Sequence, residues 1–383
     1  MKYGGAEKKM SYHSRSVIIV GGSLTGLAAA IRLARAGLDV TVLERNPDFS
    51  PNFGTGIGVD RKQLSAVTGV SAFGTPDHPG LPVVTRRWES TNWSAIHYWL
   101  RRVAEKLDNV RLIAGQPVTD IHLDEVNRRV VTTDRQYAAN LVIGADGYRS
   151  VVRQFVAPES PDAVYAGYGL WRGTIAEADM PVGVNFDRRR DKGSLWTDRY
   201  RLVSYAIPGP NGEVATGQRT INWVWYDPDC TPIFEMFGCV EDTIVKRSLL
   251  RHELTQALIH RLENLAKANW PEPWKSVILG TLDRRNVFAT PIAEYVPVRL
   301  VRGPLVLIGD AAHVAVPATG AGLYTGLEDV EALGRILEAR SGDLEAALKR
   351  YERVRIGPAQ KLGLSSRQWS EDFLARTDQL AAV

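Results

Sequence analysis

Cysteine is scarce in this chain of 383 residues, which contains only Cys230 and Cys239. Two cysteines cannot form a disulfide scaffold, and their spacing lacks the paired pattern of a zinc site. The sequence shows no other grouping of metal ligands, so we expect no metal. A reducing cytoplasm is the simplest setting for so few cysteines.

Long apolar runs and long runs of one charge are missing too. The first fifteen residues are polar and lack the apolar core of a secretory signal. The longest uncharged stretch, 311–327, contains one proline and three glycines and does not predict a membrane span. The net charge of +4 is mild for this length, and the mixed run DRRRDK from Asp187 predicts a solvated loop. We therefore expect no membrane or nucleic-acid partner, while the positive balance suits an anionic cofactor or substrate.

A nucleotide-binding pattern stands near the start of the chain. SVIIV from Ser16 predicts a buried parallel strand, LTGLAAAIRLARAG a helix, and DVTVLER a second strand. The turn between strand and helix has Gly21 and Gly26 of a G-x-G-x-x-G fingerprint, with Ser23 in place of the middle glycine. Glu44 lies 23 positions beyond Gly21, where such sites carry an acid for a ribose hydroxyl.

Each small residue of this turn has a physical role. Gly21 lets the chain turn sharply out of the strand, and Gly26 lets the helix pack closely on the sheet. Ser23 is small enough for a pyrophosphate to approach, and its hydroxyl adds a donor at the helix N-terminus. A glycine-rich turn that binds no ligand is the alternative. Because strand, helix and acid stand in register, we expect an adenine dinucleotide.

Two further motifs follow at a distance. NLVIGADGYRSVVR, from Asn140, places a strand before a G-A-D-G turn, and GPLVLIGDAAHVAVPATGAGL, from Gly303, joins a strand to a glycine-rich loop and a helix. With the first pattern, these segments resemble the group A aromatic hydroxylases, which are single-component FAD-dependent monooxygenases. The stretches VGGSLTGL, VYAGYGLWRGTI, LVSYAIPGPNG and NWVWY resemble the branch of 2,6-dihydroxypyridine 3-hydroxylases in particular.

The resemblance implies an α/β fold. A Rossmann-like FAD-binding domain with a parallel sheet, of the p-hydroxybenzoate hydroxylase type, would carry an inserted α+β substrate domain of mainly antiparallel sheet. Length alone also predicts two lobes, because 383 residues exceed the usual size of one core. We expect the FAD-binding domain over 15–160 and again over 285–365, where it includes a C-terminal helix. The substrate domain would cover 161–284, and a C-terminal tail 366–383.

The resemblance also implies which residues bind FAD. The implied contacts are the pyrophosphate turn (Gly21, Gly22, Ser23, Leu24, Thr25, Gly26), the adenosine (Glu44, Arg45, Val118), the isoalloxazine (Gly54, Thr55, Gly56), the pyrophosphate and nicotinamide (Asp146, Gly147), the ribityl chain (Asp310) and the N1–C2 edge of the flavin (Gly320, Ala321, Gly322, Leu323). Pro317 would shape the place where oxygen adds at flavin C4a. A tight strand–helix loop without a ligand is the alternative for this last segment.

One stretch departs from the family. Where the family has H-R-x-x-L-x-x-x-L in the helix after the crossover strand, this chain has NWSAIHYWL, with Trp93 in place of the arginine. The change removes a charge near the cofactor and leaves phosphate neutralisation to other groups. His97, on the same helix, is a candidate general base for a phenolic hydroxyl, because histidine titrates near neutrality. A structural histidine is the alternative.

The middle lobe is rich in aromatic residues. In TINWVWYD, strand alternation puts the tryptophans on one face and Asn222, Val224 and Tyr226 on the other. An aromatic wall suits a flat ring, so the candidates for the substrate pocket are Trp171, Arg172, Tyr205, Trp223 and Trp225. Plain sheet core is the alternative for each tryptophan, and a structural ion pair is the alternative for Arg172.

The implied function is hydroxylation of an electron-rich aromatic or N-heteroaromatic ring, such as a phenol or a hydroxypyridine, through a flavin C4a-hydroperoxide. Non-covalent FAD would be the cofactor, NADH or NADPH a transient co-substrate, and O2 the oxidant; homodimers are frequent in such folds. One alternative is an FAD-dependent dehydrogenase or reductase without oxygen insertion. The other is a flavin-binding protein without turnover.

Overall fold

The computed structural model describes residues 16–47, 55–76, 79–85, 88–123, 128–180, 192–339 and 343–381. In these residues the strands are β1 (Ser16–Val20), β2 (Asp39–Leu43), β3 (Gly56–Val59), β4 (Val84–Thr85), β5 (Glu89–Asn92), β6 (Val110–Ile113), β7 (Val118–Leu123), β8 (Arg128–Thr132), β9 (Gln136–Ala138), β10 (Leu141–Gly144), β11 (Val164–Ala176), β12 (Lys192–Trp196), β13 (Arg201–Ile207), β14 (Thr220–Asp227), β15 (Val240–Glu241), β16 (Ile244–Val245), β17 (Val287–Glu294), β18 (Val301–Arg302) and β19 (Leu305–Leu307). The α-helices are α1 (Leu24–Arg35), α2 (Arg61–Thr68), α3 (Trp93–Ala104), α4 (Val151–Val156), α5 (Thr231–Met236), α6 (Gln256–Asn269), α7 (Trp274–Asp283), α8 (Gly322–Glu338) and α9 (Leu344–Ala381).

The first sheet has six strands in the order β18–β19–β10–β1–β2–β6. All neighbours in it are parallel except β18, which runs antiparallel to β19. Its central strands β1 and β10 are almost wholly apolar and buried, as strands covered on both faces are. Helix α1 packs against this sheet, and α3 and α8 pack against α1. The predicted Rossmann-like parallel sheet is confirmed.

The second sheet is antiparallel, in the order β12–β13–β14–β11–β16–β15, and β17 also pairs with β11. One face forms a core with α6 and α7, built around Trp171, Trp223 and Trp225. Gly173 makes room for this packing, because a Cβ there would lie 2.7 Å from the ring of Trp223. The other face meets β3 and β5, which belong to a small three-stranded sheet with β4. The antiparallel substrate lobe is confirmed as well.

Two expected domain limits fall beside or inside elements of the structure. Strand β17 pairs with β11, so the second sheet extends past the expected limit at 284. Helix α9 runs without a break from Leu344 to Ala381, so 366–381, expected to be a tail, is the last part of that helix. Both features have one thing in common. Pairing with a distant strand and docking of a helix end leave no local sequence signal.

Two classes of feature are absent from the described part of the chain. No helix in it is long and apolar enough to cross a membrane. It also contains no group of three or more side chains that could hold a metal ion.

Candidate active site

The segments that follow the parallel strands converge at one edge of the first sheet. Strands β1, β10 and β19 are parallel neighbours, so 21–26, 145–147 and 309–310 lie side by side. Gly21 has φ +102°, and a Cβ there would lie 2.4 Å from the carbonyl oxygen of Ala145. At Gly26 a Cβ would lie 2.0 Å from the carbonyl oxygen of Gly21. The turn is therefore tight, and it opens at the edge where open α/β sheets bind ligands.

Helix α1 begins at this edge without a side-chain cap. Its N-cap, Ser23, is exposed and makes no capping hydrogen bond, and no acid stands in the first turn. The N–H of Leu27 donates to Ser23. The amides of Leu24, Thr25 and Gly26 precede that bond and have no intrahelical partner. A phosphate fits such a helix end, because free N–H groups and the helix dipole both attract it.

Glu44 is fixed beside the same turn. Its two carboxylate oxygens accept hydrogen bonds from the N–H groups of Gly22 and Asn46, at 2.8 and 2.9 Å. The N–H of Gln116 donates to the Glu44 carbonyl at 2.8 Å, which brings the segment leading to Val118 alongside. Each carboxylate oxygen keeps a lone pair for a ribose hydroxyl.

Asp146 uses its side chain within the protein. The carboxylate accepts from the hydroxyl of Ser150 and from the N–H of Val151, and burial raises its pKa despite these bonds. Gly147 follows with φ +81° and an open side, while Arg45 is exposed. A contact of Asp146 with the nicotinamide stays a prediction.

Thr25 lies where α1, the loop after β19 and α8 meet. A Cβ at Gly309 would lie 2.9 Å from its Oγ1, and a Cβ at Gly326 would lie 2.8 Å from the same atom. Thr25 is expected from the sequence to contact the cofactor, whereas the roles of Gly309 and Gly326 were not predicted. A glycine inside a helix, as at Gly326, is the signal that points to such close packing.

Asp310 lies near the start of α8, since a Cβ at Gly322 would lie 3.9 Å from its Oδ1, and burial raises the pKa of its carboxyl group. A buried network lies behind it. Asp329 accepts hydrogen bonds from His313 Nε2 at 2.7 Å, Arg355 Nε at 2.7 Å and the N–H of Gly309 at 2.9 Å. The network ties the Asp310 loop to α8 and α9.

The loop before α8 leaves a second uncapped helix end. The 3₁₀ turn Pro317–Thr319 is followed by Gly320 with φ +64°, and the N–H of Ala321 donates to Thr319. Helix α8 starts at Gly322 with no side-chain cap and no acid in its first turn, and Leu323 packs against the first core. The positive end of this helix can therefore face a negative charge.

Thr55 and Gly56 connect the two domains. The buried Oγ1 of Thr55 accepts a hydrogen bond from Arg172 Nη1 at 3.1 Å. The N–H of Gly56 donates to Asn222 Oδ1 at 2.9 Å, and a Cβ at Gly56 would lie 2.6 Å from the ring of Tyr205. Arg172 and Tyr205 thus lie next to the segment that is expected to flank the flavin.

Trp171, Trp223 and Trp225 lie on the opposite face of the second sheet. All three are fully buried. The indole of Trp171 donates to Asp227 at 2.8 Å, and that of Trp223 donates to Thr281 at 3.1 Å. The tryptophans form the core of this domain, and we leave them out of the proposed pocket.

An aromatic cluster on the face that carries Arg172 was not predicted from the sequence. We call this packed cluster the ring pocket, because we propose below that a ring binds against it; its buried members are Tyr168, Leu170, Val224, Tyr226, Ile292, Val316 and Phe373, with Ala318 and Trp369 partly buried beside them. Arg201 lies over the rings of Tyr226 and Trp369, at 5.0 and 5.5 Å from their centroids. Val316 and Ala318 come from the loop around Pro317, and Trp369 comes from α9. The ring pocket therefore joins the expected flavin loop to the second sheet.

Of the remaining expected site residues, His97 stands apart from the ring pocket. Gly54 lies outside the described residues. His97 Nε2 lies 3.0 Å from the carbonyl oxygen of Gly22, and its ring stacks on Trp93, with centroids 5.1 Å apart. These contacts belong to the nucleotide turn, so the general-base hypothesis for His97 has no support from its position.

Comparison with known proteins finds flavin- and nucleotide-binding family models along this chain. A family model described as an FAD binding domain matches residues 249–362, one described as FAD binding domain-like matches 165–287, and an NAD(P)-binding Rossmann-like domain matches 19–83. The chain is thus similar to FAD-dependent monooxygenases, with FAD as cofactor and NAD(P)H as co-substrate.

Among such enzymes the chain is similar to the 2,6-dihydroxypyridine 3-monooxygenase of Paenarthrobacter nicotinovorans. The two are 28% identical over 90% of this chain and 87% of the relative. An FAD-dependent urate hydroxylase of Klebsiella pneumoniae is 25% identical over 92% of this chain and 88% of its own. The solved structure of 2,6-dihydroxypyridine-3-hydroxylase from Arthrobacter nicotinovorans superposes with a TM-score of 0.76 at 24% identity, covering 94% of this chain and 93% of the other. The predicted fold and family resemblance are confirmed.

Proposed function

We propose that this chain consumes NAD(P)H and O2 to hydroxylate an electron-rich aromatic or N-heteroaromatic ring. The observation that carries the proposal is the contact between the domains. Thr55 and Gly56, expected beside the flavin, are hydrogen-bonded to Arg172 and Asn222 on the face of the second sheet that carries the ring pocket. A ring bound there would adjoin the flavin.

The residues at the sheet edge fit FAD. The turn at Gly21 leaves no room for a Cβ, and the uncapped ends of α1 and α8 suit negative charge. Glu44 and Asp310 would hold ribose and ribityl hydroxyls. Bound FAD supplies the redox chemistry and the activation of oxygen. The protein's share is to orient the cofactor and the ring and to keep water out, for which the buried apolar side chains of the ring pocket are suited.

The ring pocket offers donors that lack protein partners. Arg172 Nε, Arg201 Nη1 and Asn222 Nδ2 are buried without a hydrogen bond. Neither arginine forms an ion pair with a carboxylate of the described residues. Since an unsatisfied buried donor costs about 1–3 kcal/mol, a ligand with acceptor oxygens gains by pairing with them. We infer a flat ring with ionised or carbonyl oxygens, held between aromatic side chains.

A substrate panel tests this proposal. The relatives' names supply its first members, 2,6-dihydroxypyridine and urate, and phenols and other hydroxypyridines complete it. We expect the purified protein to contain FAD, a panel member to accelerate NADH or NADPH oxidation, and one atom of ¹⁸O2 to enter the product. Equal turnover without O2, with an unoxygenated product, would favour a dehydrogenase or reductase. FAD binding without any NAD(P)H consumption would favour a non-catalytic flavin-binding protein.

We also propose a cytoplasmic location and a homodimeric state. Cys230 and Cys239 are both buried and unpaired, as is usual in a reducing compartment. Light scattering on the purified protein tests the dimer, and microscopy of a fluorescent fusion tests the location.

A further inference from the structure

His97 is a buried histidine with one nitrogen unused. Its side chain is 4% exposed, and Nε2 lies 3.0 Å from the Gly22 carbonyl oxygen. A carbonyl only accepts, so the hydrogen of the neutral imidazole is on Nε2 and the lone pair is on Nδ1. Nδ1 is buried and has no partner among the described residues. Such an atom costs about 1–3 kcal/mol unless a ligand satisfies it.

The imidazole lies against the nucleotide turn. Gly22 donates its N–H to Glu44 and accepts from His97, so the turn is held from both sides. Trp93, which stands where the family has an arginine, stacks on the imidazole with an interplanar angle of 14°. The helix therefore offers His97 at the turn in place of the missing cation.

Four influences act on the charge of His97. Burial lowers its pKa, while the hydrogen bond with Gly22 and the carboxylate of Glu44, from β2, oppose that effect. Arg101, on the same helix, lowers the pKa further. The imidazole is therefore mainly neutral near pH 7 before FAD binds, and a nearby phosphate would favour its charged form.

We propose that His97 binds one proton from solution when FAD binds and that its Nδ1–H then donates a charge-assisted hydrogen bond to a phosphate of FAD. Nε2–H keeps its bond to Gly22, and the imidazolium replaces the family's arginine as the counter-charge. The inference rests on FAD binding alone and not on hydroxylation. Because the bound state holds the extra proton, FAD binds more tightly as pH falls.

Two variants distinguish the roles of the two ring nitrogens of His97. In His97→Gln the amide nitrogen reaches the position of Nε2 and keeps the bond to Gly22, but nothing replaces Nδ1. We expect the FAD dissociation constant of His97→Gln, measured by fluorescence titration of apoprotein at pH 5.5, to rise about tenfold or more, as for loss of a hydrogen bond to a charged group. The dependence of this dissociation constant on pH, between pH 5.5 and 8, should disappear in the variant. Adding Trp93→Arg should restore tight binding without the pH dependence.

A wild-type dissociation constant and pH profile in His97→Gln would overturn the inference, because glutamine can replace a histidine whose role is only structural. Calorimetry on the wild-type protein gives a second test that needs no variant. Titrations with FAD at pH 7 in buffers of different ionisation enthalpy should show net proton uptake, and no uptake would refute the inference. If the wild-type protein binds no FAD at any pH, the proposed function fails together with it.

Discussion

Replacing Asp329 by asparagine tests the buried network behind the Asp310 loop. Asp329 and His313 are fully buried, and the Asp329 carboxylate accepts from His313, Arg355 and Gly309 at 2.7, 2.7 and 2.9 Å. Removing one partner of a buried ion pair costs about 3–5 kcal/mol. Asparagine keeps one acceptor, and Arg355 keeps Glu328 at 3.2 Å. We therefore expect a loss near the lower end, about 3 kcal/mol in the free energy of unfolding.

Urea unfolding of the apoprotein at pH 7, monitored by tryptophan fluorescence, measures this loss. Glu331→Gln, on the same helix α8, is the matched control. Glu331 pairs with Arg32 and Arg335 at the partly exposed surface, so its loss should cost at most about 1 kcal/mol. The reasoning is refuted if Asp329→Asn costs no more than Glu331→Gln.

Asp329→Asn should also change how the free energy of unfolding depends on pH. Burial disfavours the imidazolium of His313, but Asp329, through charge and hydrogen bond, and Asp310 outweigh it and raise the pKa of His313. The folded chain thus holds this proton more tightly than the unfolded chain does. The resulting stability is full below pH about 6.5 and is lost as pH rises through the folded pKa. Asp329→Asn should lose this decline with pH, and a profile parallel to wild type would contradict the assignment.

Two further changes address the cofactor turn and the ring pocket. Gly26→Ala puts a Cβ 2.0 Å from the Gly21 carbonyl oxygen, so the purified protein should lose its flavin absorbance; Gly357→Ala, with nothing within 4 Å, should keep it. Arg201→Met should raise the dissociation constant of the ring substrate about tenfold or more, as for a lost bond to a charged group, with FAD content unchanged. Arg199→Met, which loses only a partly exposed pair with Asp229, is its control. An equal effect of both arginine variants would remove Arg201 from the pocket.

The sequence was enough to predict that the segments of the proposed cofactor site lie together. Gly21 and Glu44 sit directly after a strand and Asp310 lies three residues after β19, and the carboxyl ends of neighbouring parallel strands meet at one edge. Short patterns therefore suffice to bring together segments that are far apart in the chain. Close packing partners such as Gly309 and Gly326 escaped notice, because their need for a missing Cβ arises only in the assembled fold.

The residues proposed to contact the substrate could not be predicted from the sequence in the same way. Alternation along β14 separates Trp223 from Val224 and Tyr226 but does not say which face meets the flavin. Aromatic content favoured the tryptophan face, and the structure packs α6 and α7 there. Trp369 and Phe373 come from the end of α9, which is placed by tertiary packing and not by a local pattern.

Unpaired charged donors mark a binding face better than aromatic side chains do. On the tryptophan face, Trp225 Nε1 also lacks a partner, but that indole is neutral and packs edge-on against Tyr200 and Trp270. A guanidinium in the same situation is far more costly, because burying a charge exceeds the penalty for a neutral N–H. Burial indeed lowers the pKa of Arg172, whose one hydrogen-bond partner among the described residues is the Thr55 hydroxyl. A fold retains such groups when a ligand supplies their missing hydrogen-bond partners. We therefore infer that Arg172 and Arg201 line the space that the ring occupies.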